Sequence, residues 1–260
     1  AFEKLGLDKS GILLYTMPGF GTSARTKSNA VVLCRALGLN VETINISAAC
    51  KEHFKLIGHD GKTKDVAYEN VQARMRTMIL MNKANMYGAI VLGTGDMSEI
   101  ALGWSTYNGD HMSMFGVNAG VPKTVVRKVC RAWAEERLSQ NAKDRAAKAM
   151  LDIVNTPVSP ELVKGQITED KIGPYELHDF FIWNFVMNGL GRARLASAAE
   201  KFFGGAYSNE TICRTLDIFL SRLVSQAFKR NCAPDGIKVF PFEFSLKDWW
   251  IPSDLPKGLL

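Results

Sequence analysis

Three short apolar runs, each closed by a loop signal and two of them separated from the next by a stretch of helical period, constrain this chain more than any other feature. Residues 11–17 (GILLYTM) end at Pro18-Gly19 and read as a buried strand followed by the polar loop PGFGTSARTKSN. Residues 41–46 (VETINI) alternate as a strand, and residues 89–93 (AIVLG) form a third apolar run. A helix is expected over 27–37 with Gly38 as its stop, and Ser47 is expected to cap another. After the turn-rich GHDGKTKD, a long helix is expected over 66–87, with Val71, Met75, Met78 and Ile79 on one face. Strands alternating with helices imply a parallel sheet with right-handed crossovers, whose loops at Pro18, Ser47 and Gly93 share one edge.

Beyond Gly93 no further strand is expected. VPKTVVRKVCRAWAEE, RAAKAMLDIV, ELHDFFIWNFVMNG and the segment 208–230 all read as helices. The last carries Ile212, Leu216, Phe219, Leu220, Leu223, Val224 and Ala227 at helical spacing, a buried stripe rather than a ligand box. AFEKLGL at the start reads as the last turns of a helix ending at Gly6, and residues 155–174, Pro-bearing and polar, as a mobile surface loop. With 260 residues and 47% hydrophobic content the chain can bury a sizeable core, which excludes disorder and fibrous repeats. No apolar run approaches the ~18 residues of a spanning helix, so no membrane partner is expected.

The five cysteines are scattered without a CxxC pair, which points to neither a disulfide framework nor a thiolate metal site; a cytoplasmic location is expected. A net charge of +6 favours anionic partners without separating nucleic acid from nucleotide. Covalent catalysis has no GxSxG elbow to rest on, and the four histidines lack HExxH spacing. GTGDMSE, residues 93–99, follows an expected strand and opens a helix. Its glycines permit close backbone approach to a ligand, yet Asp96 and Glu99 also satisfy a capping box that needs no ligand. ENVQARMR sets Asn70 and Arg74 one turn apart, suited either to an anion or to a solvated helix face. Lys123 in PKT, at an expected helix start, and Lys229 in FKR, at an expected helix end, offer cations for phosphate, although Lys near a helix C-terminus also simply suits its dipole.

In order along the chain, MPGFGTSARTKSNA, YENVQARMRTMIL, VLGTGDMSEIALGWSTYNGD, VNAGVPKT, NTPVSPELV, GPYELHDFF, SQAFKRNCAPDGIKV and DWWIPSD together resemble the synthetase domain of the NAD synthetases, most closely the glutamine-dependent kind. The resemblance runs from about Gly11 to Leu255. It implies an α/β fold of the adenine-nucleotide-hydrolase-like, ATP pyrophosphatase type, with a parallel sheet and a helical C-terminal half. It also implies a ligase reaction of NAD biosynthesis. ATP, bound with Mg²⁺, adenylates the nicotinate carboxylate of deamido-NAD, pyrophosphate leaves, and ammonia displaces AMP. Such a reaction needs no protein nucleophile.

Carried onto this sequence, the resemblance places Met17, Gly19, Thr94, Lys123 and Ser159 on ATP. It places Asn70, Arg74, Glu99, Trp104, Asp110 and Lys229 on deamido-NAD, with Glu99 also on the metal, and Glu99 and Lys123 as the catalytic pair. The family's SGGxDS phosphate loop does not occur in these residues. It is expected upstream of the helix ending at Gly6, so the chain is expected to be an N-terminally incomplete synthetase domain, 1–260, without its glutaminase partner and inactive by itself. Ammonia would come from that glutaminase domain, and a homo-oligomer is expected. Two alternatives stand beside this: a related ATP pyrophosphatase acting on tRNA or a purine nucleotide, and a non-catalytic fragment. The dispersed basic residues, without an aromatic platform, speak against nucleic acid.

Overall fold

The computed structural model describes residues 1–159 and 161–244, without the side chains of 24–27. The chain divides into two units, Ala1–Arg76 with Arg127–Ile167, and Thr77–Val126 with Thr168 onward.

The first unit opens on α1 (Phe2–Leu5), which stops at Gly6 in the left-handed conformation, as the sequence suggests. Strands β1 (Leu14–Thr16) and β2 (Val41–Thr43) pair in parallel, Leu14 opposite Val41, with α2 (Ala24–Ala36) as the crossover between them. Helix α3 (Ser47–Leu56) begins one residue away from expectation. Ser47 is its first helical residue rather than its cap, and the side chain of Asn45 accepts from the Ser47 N–H instead. Helix α4 runs over Val66–Tyr87, the bounds read from the sequence, and contributes residues to both units. Val71 and Met75 are buried on it and Ile79 is half-buried, but Met78 is 52% exposed, so the expected apolar face is covered only in part.

The core of this unit is aromatic. Phe54 and Tyr68 stack at 5.4 Å with their planes 9° apart, and Phe20 lies 5.4 Å from Tyr68, geometries that add to the burial of large apolar surfaces. Helix α7 (Arg145–Val154) packs on α2 through small residues, with Ala146, Ala147 and Ala149 buried.

In the second unit only Leu92–Gly93 of the AIVLG run is strand, β3. It pairs in parallel with β4 (Phe115–Gly116), a strand the sequence did not lead us to expect, and Gly116 in turn bridges Gly236. Two residues carry no period, and what holds them is long-range: the Gly116 N–H donates to the Asp235 carbonyl at 2.7 Å, and a Cβ on Gly236 would lie 2.5 Å from the Gly116 oxygen. The single sheet expected is therefore two parallel pairs, one in each unit.

Helices dominate the rest: α5 (Met97–Leu102), α6 (Lys123–Gln140, which continues into the first unit), α8 (Thr168–Ile172), α9 (Tyr175–Asn188), α10 (Arg192–Phe203), α11 (Asn209–Ser225) and α12 (Ala227–Arg230). Helix α8 falls inside the segment expected to be loop. The expected helix over 208–230 is instead two, α11 and α12, interrupted at Gln226, although all seven stripe residues from Ile212 to Ala227 are buried. Burying Leu and Phe side chains as completely as Leu216, Phe219 and Leu223 gains roughly 1.5–3 kcal/mol each, and this stripe, with Leu177, Phe181 and Ile182 of α9, is the core on which α5 rests.

Candidate functional site

In the second unit, the Gly93 strand end leads directly into Asp96, the N-cap of α5. Both halves of the capping box are made: the Glu99 N–H donates to Asp96 Oδ1 at 3.0 Å, and the Asp96 N–H donates to Glu99 Oε2 at 3.2 Å. The two remaining carboxylate oxygens converge on one cation. Lys123 Nζ lies 2.6 Å from Asp96 Oδ2 and 2.8 Å from Glu99 Oε1, with 3% of the Asp96 side chain, 23% of Glu99 and 16% of Lys123 exposed. Burial, followed by the Glu99 charge, pushes the Asp96 carboxyl up to about 7, against the pull of Lys123. Burial pulls Lys123 down, but the Glu99 and Asp96 charges outweigh it, and the ammonium titrates above its usual value. The ring of buried Tyr175 lies 5.5 Å from the ammonium. Of the residues suggested by the sequence, Glu99 and Lys123 are thus brought into direct contact.

The other side of α5 is held by cations. Arg222 donates to the carbonyls of Leu102 and Gly103 at 2.9 and 3.2 Å, Lys229 to those of Gly103 and Ser105 at 2.9 and 2.5 Å, and Arg230 to that of Ala101 at 2.8 Å. Those of Ala101, Leu102 and Gly103 are orphan carbonyls of the helix end, and three positive charges there suit its dipole. Crowding has a cost: burial and then Arg222 lower the Lys229 ammonium, and burial lowers Arg230 to about 10. Gly103 makes the approach possible, because its φ is +53° and a Cβ there would stand 2.5 Å from Gln226 Cβ. Lys229 is therefore part of the scaffold as well as a candidate ligand contact. Trp104 carries the Arg222 guanidinium 4.8 Å from its ring, and the two line a cavity of about 600 Å³ with Lys171 and Arg214. Asp110 accepts from the Thr106 N–H at 2.7 Å and closes its own turn; Thr94 is exposed just beyond β3.

In the first unit, the Met17–Gly21 loop is pinned by residues the sequence reading passed over. Gln72, fully buried, accepts from the Phe20 N–H at 3.0 Å and donates to the Leu162 carbonyl at 2.9 Å, while Arg76 donates to the Met17 carbonyl at 3.1 Å. A Cβ on Gly19 would sit 2.6 Å from Gln72 Oε1, so the PGFG glycines serve close packing here. Asn70 is half-buried and Arg74 exposed on the same helix. Ser159 accepts from the Glu161 N–H at 3.1 Å, and its neighbour Pro160 lies outside the described residues, as does the DWWIPSD segment.

Residues 3–197 match the NAD synthase family. The chain belongs to that family. It is 39% identical over 285 aligned positions to a glutamine-dependent NAD(+) synthetase of Mycobacterium leprae, covering 98% of this chain and 42% of the relative's length. Among solved structures, a glutamine-dependent NAD(+) synthetase from Cytophaga hutchinsonii aligns with a TM-score of 0.72 at 20% identity, over 93% of this chain and 38% of that one. An NMN synthetase from Francisella tularensis aligns at 0.59 and 22% identity, over 80% and 78%. The fold is the adenine-nucleotide-hydrolase-like α/β fold that the resemblance implied, in a mostly helical form with small parallel sheets. Among the described residues, no helix is long and apolar enough to cross a membrane.

Proposed function

We propose that these residues are the synthetase portion of a glutamine-dependent NAD synthetase, a cytoplasmic, homo-oligomeric ligase that amidates deamido-NAD with ATP and ammonia. The family match supports the reaction class, and the Asp96–Glu99–Lys123 cluster carries the assignment of the site. The chemistry needs charge compensation rather than a nucleophile. The nicotinate carboxylate attacks the α-phosphate and expels pyrophosphate; ammonia then attacks the acyl adenylate, expels AMP and loses a proton. Lys123 is the cation for the polyphosphate, held ready by two carboxylates it can exchange for phosphate oxygens. Thr94, Met17, Gly19 and Ser159 are assigned to ATP, and Asn70, Arg74, Glu99, Trp104, Asp110 and Lys229 to deamido-NAD, on the family resemblance.

The donor set fits Mg²⁺ of a particular kind. Glu99 Oε1, the oxygen the capping box leaves over, is a hard carboxylate donor of the kind Mg²⁺ takes together with substrate phosphates. Glu99 is the residue that would hold it. Bound there, Mg²⁺ would neutralise charge on the departing pyrophosphate.

The test uses the full-length natural protein, supplied with deamido-NAD, ATP, Mg²⁺ and ammonia, and separately with glutamine. NAD, AMP and pyrophosphate should appear in equal amounts. Failure to form NAD while both substrates bind would refute the assignment.

A further inference from the structure

Asp179 of α9, in the GPYELHDFF string, receives no site role from the resemblance, yet it organises the ground on which Lys123 stands. Helix α6 begins at Lys123, directly after Pro122, a residue whose side chain has no acceptor with which to cap a helix. Two residues from other elements take over. The Lys123 N–H donates to Ser98 Oγ at 2.8 Å, and the Thr124 N–H donates to Asp179 Oδ2 at 2.9 Å, where the Thr124 hydroxyl also donates at 2.6 Å. Ser98 closes the circuit by donating its own hydroxyl to Asp179 Oδ1. Ser98 is fully buried and sits one residue before Glu99. Asp179 therefore ties the first turn of α6, which carries Lys123, to the first turn of α5, which carries Asp96 and Glu99. One helical turn earlier on α9, Tyr175 presents its ring to the Lys123 ammonium.

A carboxylate in this position accepts three hydrogen bonds, two of them from a neighbouring helix start, where negative charge is favoured. Its removal would leave the Thr124 N–H and two hydroxyls without their acceptor. It would also free the Lys123 backbone to shift against Glu99, and displacements near 1 Å matter for a group whose work is positioning.

We propose that Asp179, acting through Ser98 and Thr124, is a positioning residue for Lys123, fixing the ammonium where it meets the phosphates of a nucleoside triphosphate. The assignment rests on the reading of Lys123 as a phosphate contact.

A double-mutant cycle in the full-length protein decides it, with calorimetric titration of ATP and of adenosine, which lacks phosphates. Lys123→Ala should weaken ATP binding by roughly 10-fold, the loss of one charge-assisted contact. Asp179→Ala should lose a comparable ~5- to 10-fold, and the double variant no more than Lys123→Ala alone, because both act through one ammonium. Adenosine affinity should hold throughout. Asp179→Asn, which keeps one acceptor for Thr124 and an amide to face Ser98, should recover most of the ATP affinity. If Asp179→Ala does not fold, Ser98→Ala takes its place in the cycle, with a several-fold loss that vanishes in the Lys123→Ala background. Losses that multiply in the double variant, or that strike adenosine as hard as ATP, overturn the positioning role while leaving Lys123 on the phosphates. An unchanged ATP affinity in Lys123→Ala overturns both.

Discussion

His178 makes the stability of the helical unit's core depend on pH. It is fully buried on α9, with Nε2 2.8 Å from the Ile172 carbonyl, so the neutral ring donates that hydrogen bond, and Nδ1 has no partner among the described residues. Tyr175 and Phe219 pack about it. Burial lowers its pKa from 6.5 to about 4. A base whose folded pKa lies below its unfolded value binds its proton more readily in the unfolded chain. Its contribution is therefore intact above pH 6.5 and is lost as pH falls toward about 4. At 1.36 kcal/mol per pH unit the loss amounts to roughly 3 kcal/mol. His178→Gln keeps a donor at nearly the place of Nε2 and cannot titrate. At pH 7.5 it should be less stable than the parent by ~1–2 kcal/mol for the imperfect fit. Approaching pH 4 the order should reverse, because the parent alone carries the protonation penalty. Urea unfolding of both proteins at several pH values between 7.5 and 4.5 gives the difference directly, and carboxylates common to both cancel. Parallel stability curves would show that His178 is not held neutral.

Three further changes probe the site and its supports. Glu99→Gln retains an acceptor for the Asp96 N–H and leaves Asp96 to pair with Lys123, so urea unfolding should register ~1 kcal/mol or less, while adenylation by the full-length protein falls at least about 10-fold. Wild-type rate and metal dependence would reduce Glu99 to a cap. Lys229→Ala removes the donor to two carbonyls and should cost ~1–3 kcal/mol of stability as well as about 10-fold in deamido-NAD affinity measured by calorimetry; loss of only one of these would separate scaffold from ligand contact. Gly173→Ala should lower the thermal midpoint by several degrees, because φ is +91° and a Cβ would press to 2.4 Å from Thr215 Oγ1; an unchanged midpoint would mean that this turn relaxes freely.

Where local chemistry decided the structure, the sequence was readable. Helix α4 keeps its expected bounds because a turn-rich segment precedes it and Gly88, at φ +59°, follows it. The α11 stripe is buried because its period matches the helix. The break at Gln226 left no trace, since Ala227 continues the same apolar period on its far side. Ser47 and Asn45 are both residues that favour helix starts, and the choice between them turned on Ile46, which enters the core at 1% exposure and leaves Asn45 outside the helix to take the Ser47 N–H. Strand β4 could not be read at all, because its partners are a backbone more than twenty residues earlier and another more than a hundred residues later.

The site divides along the same line. Asp96 and Glu99 form a local pattern, and the sequence alone left cap and ligand contact equally open. In the structure each carboxylate spends one oxygen on the box and turns the other toward Lys123. That convergence brings together Glu99 and Lys123, 24 residues apart in the first turns of two helices, which no spacing announces. Asp179 did leave a signal. A single acidic residue within the aromatic run from His178 to Phe185 must either face water or find buried donors, and an acid in such a run is a question about its partners before it is a surface residue. Gln72 poses the same question between Val71 and Ala73, and the answer there is the backbone at Phe20 and Leu162. In both cases a polar side chain on an apolar face marks where the fold holds a loop or a helix start, and pattern reading becomes more complete when such residues are followed to the donors and acceptors they require.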